Sequence, residues 1–376
     1  MTKTIVFIGG TFDDNKGKSS KVVQKIYEGF VDSGLFNQYS YFHMNGGHTH
    51  DIAMAKDQAV NAKVVVWMPH VDNQLPKESV NTIKALNPHC VLVTSKRSIE
   101  TLCTPAQIVQ HGLKKHSNLM VVFAKESNLS DNLYICMELV DPLGNSFTHT
   151  FDAYKLGQVL AERAYYLVGL TRLSSSPSSL PLPEPPDEPV FLEQVKKAAD
   201  AFAKLIITSE PTERFLGNAA FRCTFGFPAV KYKEVVYVSR RNVDKTTLTM
   251  QDFVPIDYGV LDKVVFSGRY KPSVDAPIQM RLFRLYPHIK YIMHGHVYVH
   301  TPLGIPATPM THNVVPCGAL VEVNEIWDKF PDMELKSFVI NLRGHGFMAA
   351  SDNPEFFETL LPRYRARPAF ESQTTK

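Results

Sequence analysis

The chain has 376 residues, of which 44% are hydrophobic and 20% charged, so it can form about two globular domains and is not disordered as a whole. The net charge of +3 comes without a dense run of Lys and Arg, and no apolar run approaches the ~20 residues of a membrane span, so we expect neither nucleic acid nor membrane as partner. The five cysteines never form a CxxC pair, which predicts a cytoplasmic protein without a disulfide framework.

The first half of the sequence alternates between strand-like and helix-like segments. Its apolar start, TIVFIGG, is predicted to be the first strand and not a signal peptide, because Asp13 and Asp14 soon follow. Further apolar runs, such as AKVVVWMP, CVLVTS and NLMVVFA, are separated by segments with helical spacing, such as KSSKVVQKIYEGFVDSG. Repeated β-α-β units predict an α/β fold with a doubly wound parallel sheet, flavodoxin-like or Rossmann-like, over residues 1–173.

Two polar segments of this half are candidates for ligand binding. GGTFDDNKGKSS follows the first predicted strand and has glycines, hydroxyls and lysines suited to a phosphate at a helix N-terminus. It matches neither GxGxxG nor GxxxxGK[ST], so a simple strand-to-helix turn is the alternative, and a bound nucleotide or nucleoside is a hypothesis from fold pattern alone. GGHTHD, with His48 and His50, is expected to be a polar loop after a strand and not a metal site.

A segment rich in Ser and Pro separates the two halves of the chain. Residues 174–189 read SSSPSSLPLPEPPDEP, in which Ser and Pro fill 11 of 16 positions. Because proline has no backbone N–H and a fixed φ, we predict a solvated, partly extended spacer. The chain would then consist of one domain over residues 1–173 and a second domain over residues 190–376.

Histidines in the second half predict a metal site. Within YIMHGHVYV, residues two apart face the same side of a strand, so His294 and His296 would project together. Two such imidazoles form half of a site for Zn²⁺ or a similar divalent ion, and His345, between two glycines, is the candidate third ligand. Two histidines on a half-exposed strand are the alternative. Asp275 precedes a probable helix, where it is either an acid/base or a helix cap.

Four segments, in this order, make the region from about Pro211 to Ala350 resemble the class II aldolase/adducin family. FLGNAAFR is similar to the family's S-G-N-x-S-x-R segment, and VVYVSRRNVDKTTLTMQDFVPID to its strand, turn and "lT.edlv.vd" segment. GRYKPSVDAPIQMRLFRLYPHIKYIMHGHVY resembles the family's PSS[ED] segment with the histidine strand that follows it, and LRGHGFMAAS resembles its late "l.nHG" segment. The four matches in register identify the second domain as a relative of this family.

The resemblance implies an α/β/α layered fold with a mostly antiparallel sheet, a homo-oligomer that is tetrameric in the family, and Zn²⁺ bound at His294, His296 and His345. It places Asp275 at the family's acidic position, that of the catalytic acid/base. Four residues fall on or near the family's phosphate-binding positions: Gly217, Asn218, Ser239 and Ser273. Two more are candidates for the site: Arg240, in the SRRNV turn that replaces the common TPSG, and Tyr364, because a C-terminal aromatic residue of a neighbouring subunit often completes the site.

The resemblance implies a zinc-dependent lyase or isomerase that cleaves or epimerises a sugar or sugar phosphate through a metal-stabilised enediolate. Two departures put epimerisation of an ordinary pentulose phosphate in doubt: Val274 replaces the second serine of PSS[ED], and the acid of the epimerase-type THAD segment is absent, since Thr311 and His312 are followed by Asn313. A sugar-phosphate dehydratase of the same family and a non-catalytic, adducin-like binding protein are the alternatives. The retained histidines favour an enzyme, since purely binding members generally lack them.

Overall fold

The chain folds into two compact units that divide between Gly169 and Leu170. The structure is a computed structural model that describes residues 3–70, 75–98, 104–127, 133–206, 217–225, 234–302 and 304–367. In that part of the chain, no helix has the length and apolar character needed to cross a membrane. Each unit has a large β-sheet of its own.

A seven-stranded sheet forms the centre of the first unit, as far as the described residues go, in the order β2-β1-β3-β4-β5-β6-β7. Its first five strands are parallel, and β6 and β7 add an antiparallel edge. The strands are Thr4–Asp13, Ser40–His48, Val64–Trp67, Val91–Ser98, Leu119–Ser127, Leu133–Val140 and Ser146–Thr150. The helices, α1 to α5, are Lys21–Asp32, Asp51–Ala59, Leu75–Leu86, Pro105–Lys114 and Ala153–Gly169. The predicted doubly wound α/β architecture is confirmed.

Three boundaries in the first unit differ from the prediction. Strand β1 continues through the glycines to Asp13, with an irregular register between Gly9 and Phe12, so GGTFD is strand and not loop. His48 is the last residue of strand β2 and not part of a loop. Helix α1 begins only after Ser20, whose hydroxyl caps it. A nucleotide or nucleoside at this edge of the sheet stays a prediction.

The second unit contains an eight-stranded sheet within its described part, in the order β15-β16-β13-β9-β10-β11-β12-β8. All neighbours are antiparallel except β12 and β8, as the family resemblance implies. Strands β8 to β13 are Ser175–Pro177, Gly217–Thr224, Glu234–Ser239, Phe253–Asp257, Val264–Phe266 and Tyr291–Gly295. Strands β14 to β17 are Tyr298–Val299, Ser337–Leu342, Gly346–Ser351 and Tyr364–Arg365, and β14 pairs with β17 in a small separate sheet.

Helices cover both faces of the eight-stranded sheet. Helices α6 to α8 are Pro189–Leu205, Ala276–Leu285 and Val321–Trp327, with short 3₁₀ helices at Lys245–Thr247, Met250–Asp252 and Pro354–Arg363. Alternate residues of strand β13 enter two different cores: Ile292 packs with α7 and α8, and Met293 packs with α6. Because successive side chains of a strand point to opposite faces, this alternation produces the α/β/α layers.

The Ser/Pro-rich segment is mostly exposed or half-buried, but it is not a spacer between the two units, and that part of the prediction was wrong. Ser175–Pro177 form the edge strand β8, which pairs with β12, and Leu182 is buried. The hydroxyl of Tyr237 lies 3.2 Å from the backbone carbonyl oxygens of both Pro183 and Glu184. Proline lacks a donor but keeps its carbonyl oxygen, and an edge strand tolerates the missing N–H. The segment therefore belongs to the second unit.

Strand β13 lies between β9 and β16, and the backbones approach one another closely at its end. His294 pairs with Asn218 on one side and with Met348 on the other. Gly346 has a φ of +153°, and a Cβ atom there would overlap the carbonyl oxygen of Gly295. Only glycine fits this position without displacing backbone, so the residue next to His345 is fixed by packing.

We expect Gly346→Ala to destabilise the second unit by at least about 2 kcal/mol more than Gly268→Ala, because the added Cβ meets fixed backbone. Gly268 is the matched control, since it also has a positive φ, +101°, but open space where a Cβ would lie. Urea unfolding followed by the fluorescence of Trp327, in a Trp67→Phe background, measures the second unit alone. Equal losses for the two variants would contradict this packing argument.

Candidate metal centre

Three histidines of the second unit converge at the end of strand β13. His294 lies in this strand, His296 follows it, and His345 occupies the turn between β15 and β16. Their ring centroids are 4.7, 4.8 and 5.0 Å apart, and one ring nitrogen of each lies within 4.8 Å of the others. The three residues are 1%, 8% and 1% exposed. The arrangement gives three imidazole ligands at one buried point.

Hydrogen bonds orient two of these rings. His294 Nδ1 lies 2.7 Å from the carbonyl oxygen of Phe347, so Nδ1 carries the proton and Nε2 keeps its lone pair. His345 Nδ1 lies 3.3 Å from the carboxylate of the buried Glu322. Within the described part of the chain, His294 Nε2 and His296 Nδ1 are buried without a hydrogen-bond partner. Such buried lone pairs are unfavourable unless a ligand satisfies them.

Burial controls the protonation of the ligand pair on β13. It lowers the pKa of His294 to about 4 and the pKa of His296 well below its ordinary value, and the neighbouring His345 adds to both effects. Both rings are therefore neutral near pH 7, which is the form that binds a metal ion. Burial also acts to lower the pKa of His345, but Cys317 and Glu322 outweigh it and raise that pKa well above the ordinary value.

Asp275 occupies the N-cap position of α7, but its side chain does not cap the helix. Its two carboxylate oxygens instead accept hydrogen bonds from Asn218 Nδ2 and from the backbone N–H of Gly318, each at 2.8 Å. Gln279 Nε2 in turn donates to Asn218 Oδ1. The capping alternative is thus excluded, and a buried chain of polar groups holds the carboxylate near the histidines.

The residues at the predicted phosphate positions adjoin this carboxylate. Gly217 begins β9 and pairs with Gly295, and Asn218 contacts Asp275 as described. Ser239 Oγ accepts from the N–H of Ala219 at 3.1 Å, and the Ser239 carbonyl accepts from the N–H of Ser273 at 3.1 Å. The structure therefore brings Gly217, Asn218, Ser239 and Ser273 next to Asp275, and phosphate binding by them stays a prediction.

The backbone of Arg240 pairs with Pro272, beside the predicted phosphate positions, while the side chains of Arg240 and Tyr364 contact other groups. Arg240 Nε donates to Asp252 Oδ1 at 2.7 Å, and its guanidinium lies over the ring of Tyr270. Tyr364 is buried in the core shared with Met293, on the sheet face opposite to His294, and its hydroxyl lies 3.9 Å from Met293 Sδ. The Tyr364 side chain fills a core of its own chain, and a role at the site of a neighbouring subunit stays a prediction.

Three functional candidates were missed in the sequence. Cys317 Sγ lies 3.2 Å from His345 Nε2, and Glu322 contacts the other nitrogen of that ring. Lys245 is buried, and desolvation lowers its pKa to about 8, although the charges of Asp244 and Asp275 act in the opposite direction. These residues form no spacing pattern with the histidines, so only the folded chain reveals them.

Within the described part of the first unit, the histidines form no comparable site. The rings of His48 and His50 are stacked with centroids 5.3 Å apart, and Asp51 Oδ2 accepts a hydrogen bond from the backbone N–H of His48. Among the residues that the structure describes, the groups of three possible metal ligands all lie in the second unit. Two such groups share His345: one with His294 and His296, the other with Asp275 and Cys317.

Comparisons with known proteins find relatives of the part of the chain that contains His294, His296 and His345. Residues 197–355 match the family model described as "Class II Aldolase and Adducin N-terminal domain". L-ribulose-5-phosphate 4-epimerase UlaF of Salmonella paratyphi B is 26% identical over 106 residues, which cover 26% of this chain and 45% of UlaF; the Salmonella typhi protein gives the same values. The match thus spans about half the length of these curated relatives. Residues 197–355 form a class II aldolase-like region.

Solved structures similar to parts of the chain fall into two groups. An L-fuculose 1-phosphate aldolase has 14% identity and a TM-score of 0.33, covering 47% of this chain and 82% of that one. The L-fuculose-1-phosphate aldolase from Thermus thermophilus has 18% identity and a TM-score of 0.28, covering 46% and 84%. A DNA/pantothenate metabolism flavoprotein from Streptococcus pneumoniae has 11% identity and a TM-score of 0.31, covering 43% and 98%.

We expect Glu322→Met to weaken zinc binding by about 10–100-fold, because the variant removes the acceptor that orients His345. Glu322→Gln is the matched control, since its amide oxygen can still accept from Nδ1–H and should retain most of the affinity. Competition with a chromophoric chelator measures both dissociation constants. An unchanged zinc affinity of a folded Glu322→Met variant would exclude this orienting role.

Proposed function

We propose that the class II aldolase-like region, residues 197–355, is a zinc-dependent lyase or epimerase that acts on a sugar or sugar phosphate. The observation that supports this most strongly is the convergence of three buried imidazoles, two of which present ring nitrogens without partners. The family match over the same residues is a separate support. A scaffold protein has no need of three converging buried histidines, two of which desolvation keeps neutral.

The donor set suits a divalent ion such as Zn²⁺. His294, His296 and His345 would hold it through nitrogen atoms, the ligands that zinc accepts in both structural and catalytic sites. Glu322 and the carbonyl oxygen of Phe347 fix the orientation of two of the rings. The ion, when bound, supplies Lewis acidity toward a carbonyl oxygen and stabilises the negative charge that develops as a C–C or C–H bond breaks.

Asp275 is the acid/base of this proposal. The hydrogen bonds from Asn218 and Gly318 use one lone pair on each carboxylate oxygen, so each oxygen keeps a second lone pair that can take up a proton. A carboxylate oxygen of Asp275 lies within 4.8 Å of a ring nitrogen of His345. A substrate held beside His345 is therefore close to a fixed group that can accept and return its proton.

The anionic part of the substrate would bind at the ends of strands β9 and β10. Ser239 and Ser273 accept hydrogen bonds through their hydroxyl oxygens, and neither hydroxyl donates a hydrogen bond to another described residue. Each hydroxyl can therefore donate to a phosphate oxygen. The buried ammonium group of Lys245, whose charge interacts with that of Asp275, adds positive potential to this region.

We expect the full-length chain to contain about one divalent ion per chain and His294→Ala to lose most of it, because this ring supplies one of three ligands. His288→Ala is the control, since His288 is a partly exposed residue that pairs with Glu334. Elemental analysis of the purified proteins measures the metal content. Full retention of the ion by His294→Ala would move the ligands elsewhere.

We expect Asp275→Asn to retain the metal and the fold but to lower kcat by a factor on the order of 10²–10⁴, the usual scale of general acid–base catalysis. The wild-type chain is first screened with ketose and aldose phosphates for cleavage, epimerisation and dehydration. Asp257→Asn, at the partly exposed end of strand β11 in the same unit, is the control. Near wild-type activity of metal-loaded Asp275→Asn would refute the assignment, and loss of the metal would make Asp275 a ligand.

A further inference from the structure

A short antiparallel ribbon continues strand β10 beyond the predicted phosphate positions. The backbone N–H of Ser273 donates to the carbonyl oxygen of Ser239 at 3.1 Å, and the N–H of Arg241 donates to the carbonyl oxygen of Lys271 at 2.9 Å. The two residues between these bonds pair with each other as well. The ribbon therefore has the register of an antiparallel ladder, in which Ser239 lies opposite Ser273 and Arg241 lies opposite Lys271.

Alternation along the two strands of this ribbon places their side chains on two faces. Arg240 lies on one face, where its guanidinium binds Asp252 and lies over the ring of Tyr270. The opposite face is shared by four residues: Ser239, Arg241, Lys271 and Ser273. Two serine hydroxyls and two cationic side chains thus lie side by side on one surface.

This face of the ribbon runs from the buried centre to the surface of the second unit. Ser239 is fully buried, and the half-buried Ser273 comes two residues before Asp275. Arg241 and Lys271 are exposed, and residues two apart in a strand are about 7 Å apart, so the cationic pair is one step nearer to solvent than the serine pair. A substrate with a phosphate at the serines therefore has its outer end beside Arg241 and Lys271.

The opposition of Arg241 and Lys271 is unfavourable for folding, because like charges directly opposite each other destabilise a ladder. Arg241 Nε donates to the carbonyl oxygen of Pro272 at 3.2 Å, which holds the guanidinium across the ribbon. The carboxylate of Asp252 pairs with Arg240, on the other face. An anion between the two cations removes their repulsion, and both side chains suit phosphoryl oxygens, arginine through its planar fork and lysine as a point charge.

We propose that Arg241 and Lys271 bind a second phosphoryl group of the substrate, beyond the phosphate that the serine pair holds. The substrate class is then a sugar diphosphate or a diphosphate ester, and not a sugar monophosphate. This proposal rests on the proposed function and its predicted phosphate positions, and it deepens them. It also gives a role to the SRRNV turn, which replaces the common TPSG and supplies Arg241.

Calorimetric titration of the zinc-loaded, full-length chain with methyl phosphate and with methyl diphosphate tests the proposal, with elemental analysis to verify that the zinc is retained. We expect the wild type to bind the diphosphate roughly tenfold more tightly, because charge-assisted hydrogen bonds are added. Lys271→Ala and Arg241→Ala should each remove most of this difference and leave the affinity for methyl phosphate nearly unchanged. Lys263→Ala, at another exposed lysine of the same unit, is the control and should retain the difference.

The outcomes separate this proposal from the proposed function. Equal affinities of the wild type for the two esters overturn the second phosphoryl site and leave the first phosphate position intact, whereas a wild type that binds neither ester overturns the phosphate positions themselves. If both variants weaken the two esters by the same factor, Arg241 and Lys271 bind the first phosphate, which also overturns the proposal. Urea unfolding verifies that the variants fold; if Arg241→Ala does not, Lys271→Ala decides alone.

Discussion

The close approach of strands β13 and β16 is the contact on which the candidate site depends. Gly346 allows the two backbones to meet, because a Cβ atom there would overlap the carbonyl oxygen of Gly295, and Gly295 in turn leaves room for the rings of Phe202 and Phe347. The carbonyl oxygen of Phe347 then reaches His294 Nδ1, and the turn before Gly346 brings His345 beside the histidine pair. Backbone pairing thus brings His345 to the pair His294 and His296, about fifty residues earlier in the chain, and such pairing is more rigid than side-chain packing alone.

Burial determines the protonation state of His294 and His296 and leaves two of their ring nitrogens without partners in the described part of the chain. Water is excluded from His294 and His296, so both rings stay neutral, and the cost of their unpartnered nitrogens is recovered only when a ligand binds. The same reasoning applies to Glu322, whose second carboxylate oxygen is also buried without a partner among the described residues. Since an ion that binds only the folded chain adds to its stability, site occupancy and the stability of the second unit are linked.

Local sequence patterns were informative where one physical rule determines the outcome. The two-residue period of a strand predicted that His294 and His296 project together, and repeated β-α-β segments predicted the parallel sheet of the first unit. Composition was misleading for the Ser/Pro-rich segment, because it indicates how many backbone N–H donors are missing and says nothing about the carbonyl acceptors that remain. The Ser/Pro-rich segment lacks donors, yet its carbonyl oxygens accept from Tyr237 and its edge position needs few N–H groups. Glycine likewise permits a turn without requiring one, so Gly9 and Gly10 lie inside strand β1.

The remaining parts of the site depend on tertiary structure. Cys317 and Glu322 contact His345 from 28 and 23 residues away, and no periodicity relates them. Sequence left Asp275 as either an acid/base or a helix cap, and only the hydrogen bonds of its carboxylate with Asn218 and Gly318 exclude the cap.

The most direct test of the account is anomalous diffraction from crystals of the zinc-loaded, full-length chain, with data collected on both sides of the zinc absorption edge. The account predicts one strong zinc peak per chain, within bonding distance of ring nitrogens of His294, His296 and His345. A fully loaded crystal whose zinc peak lies away from these three rings would contradict it.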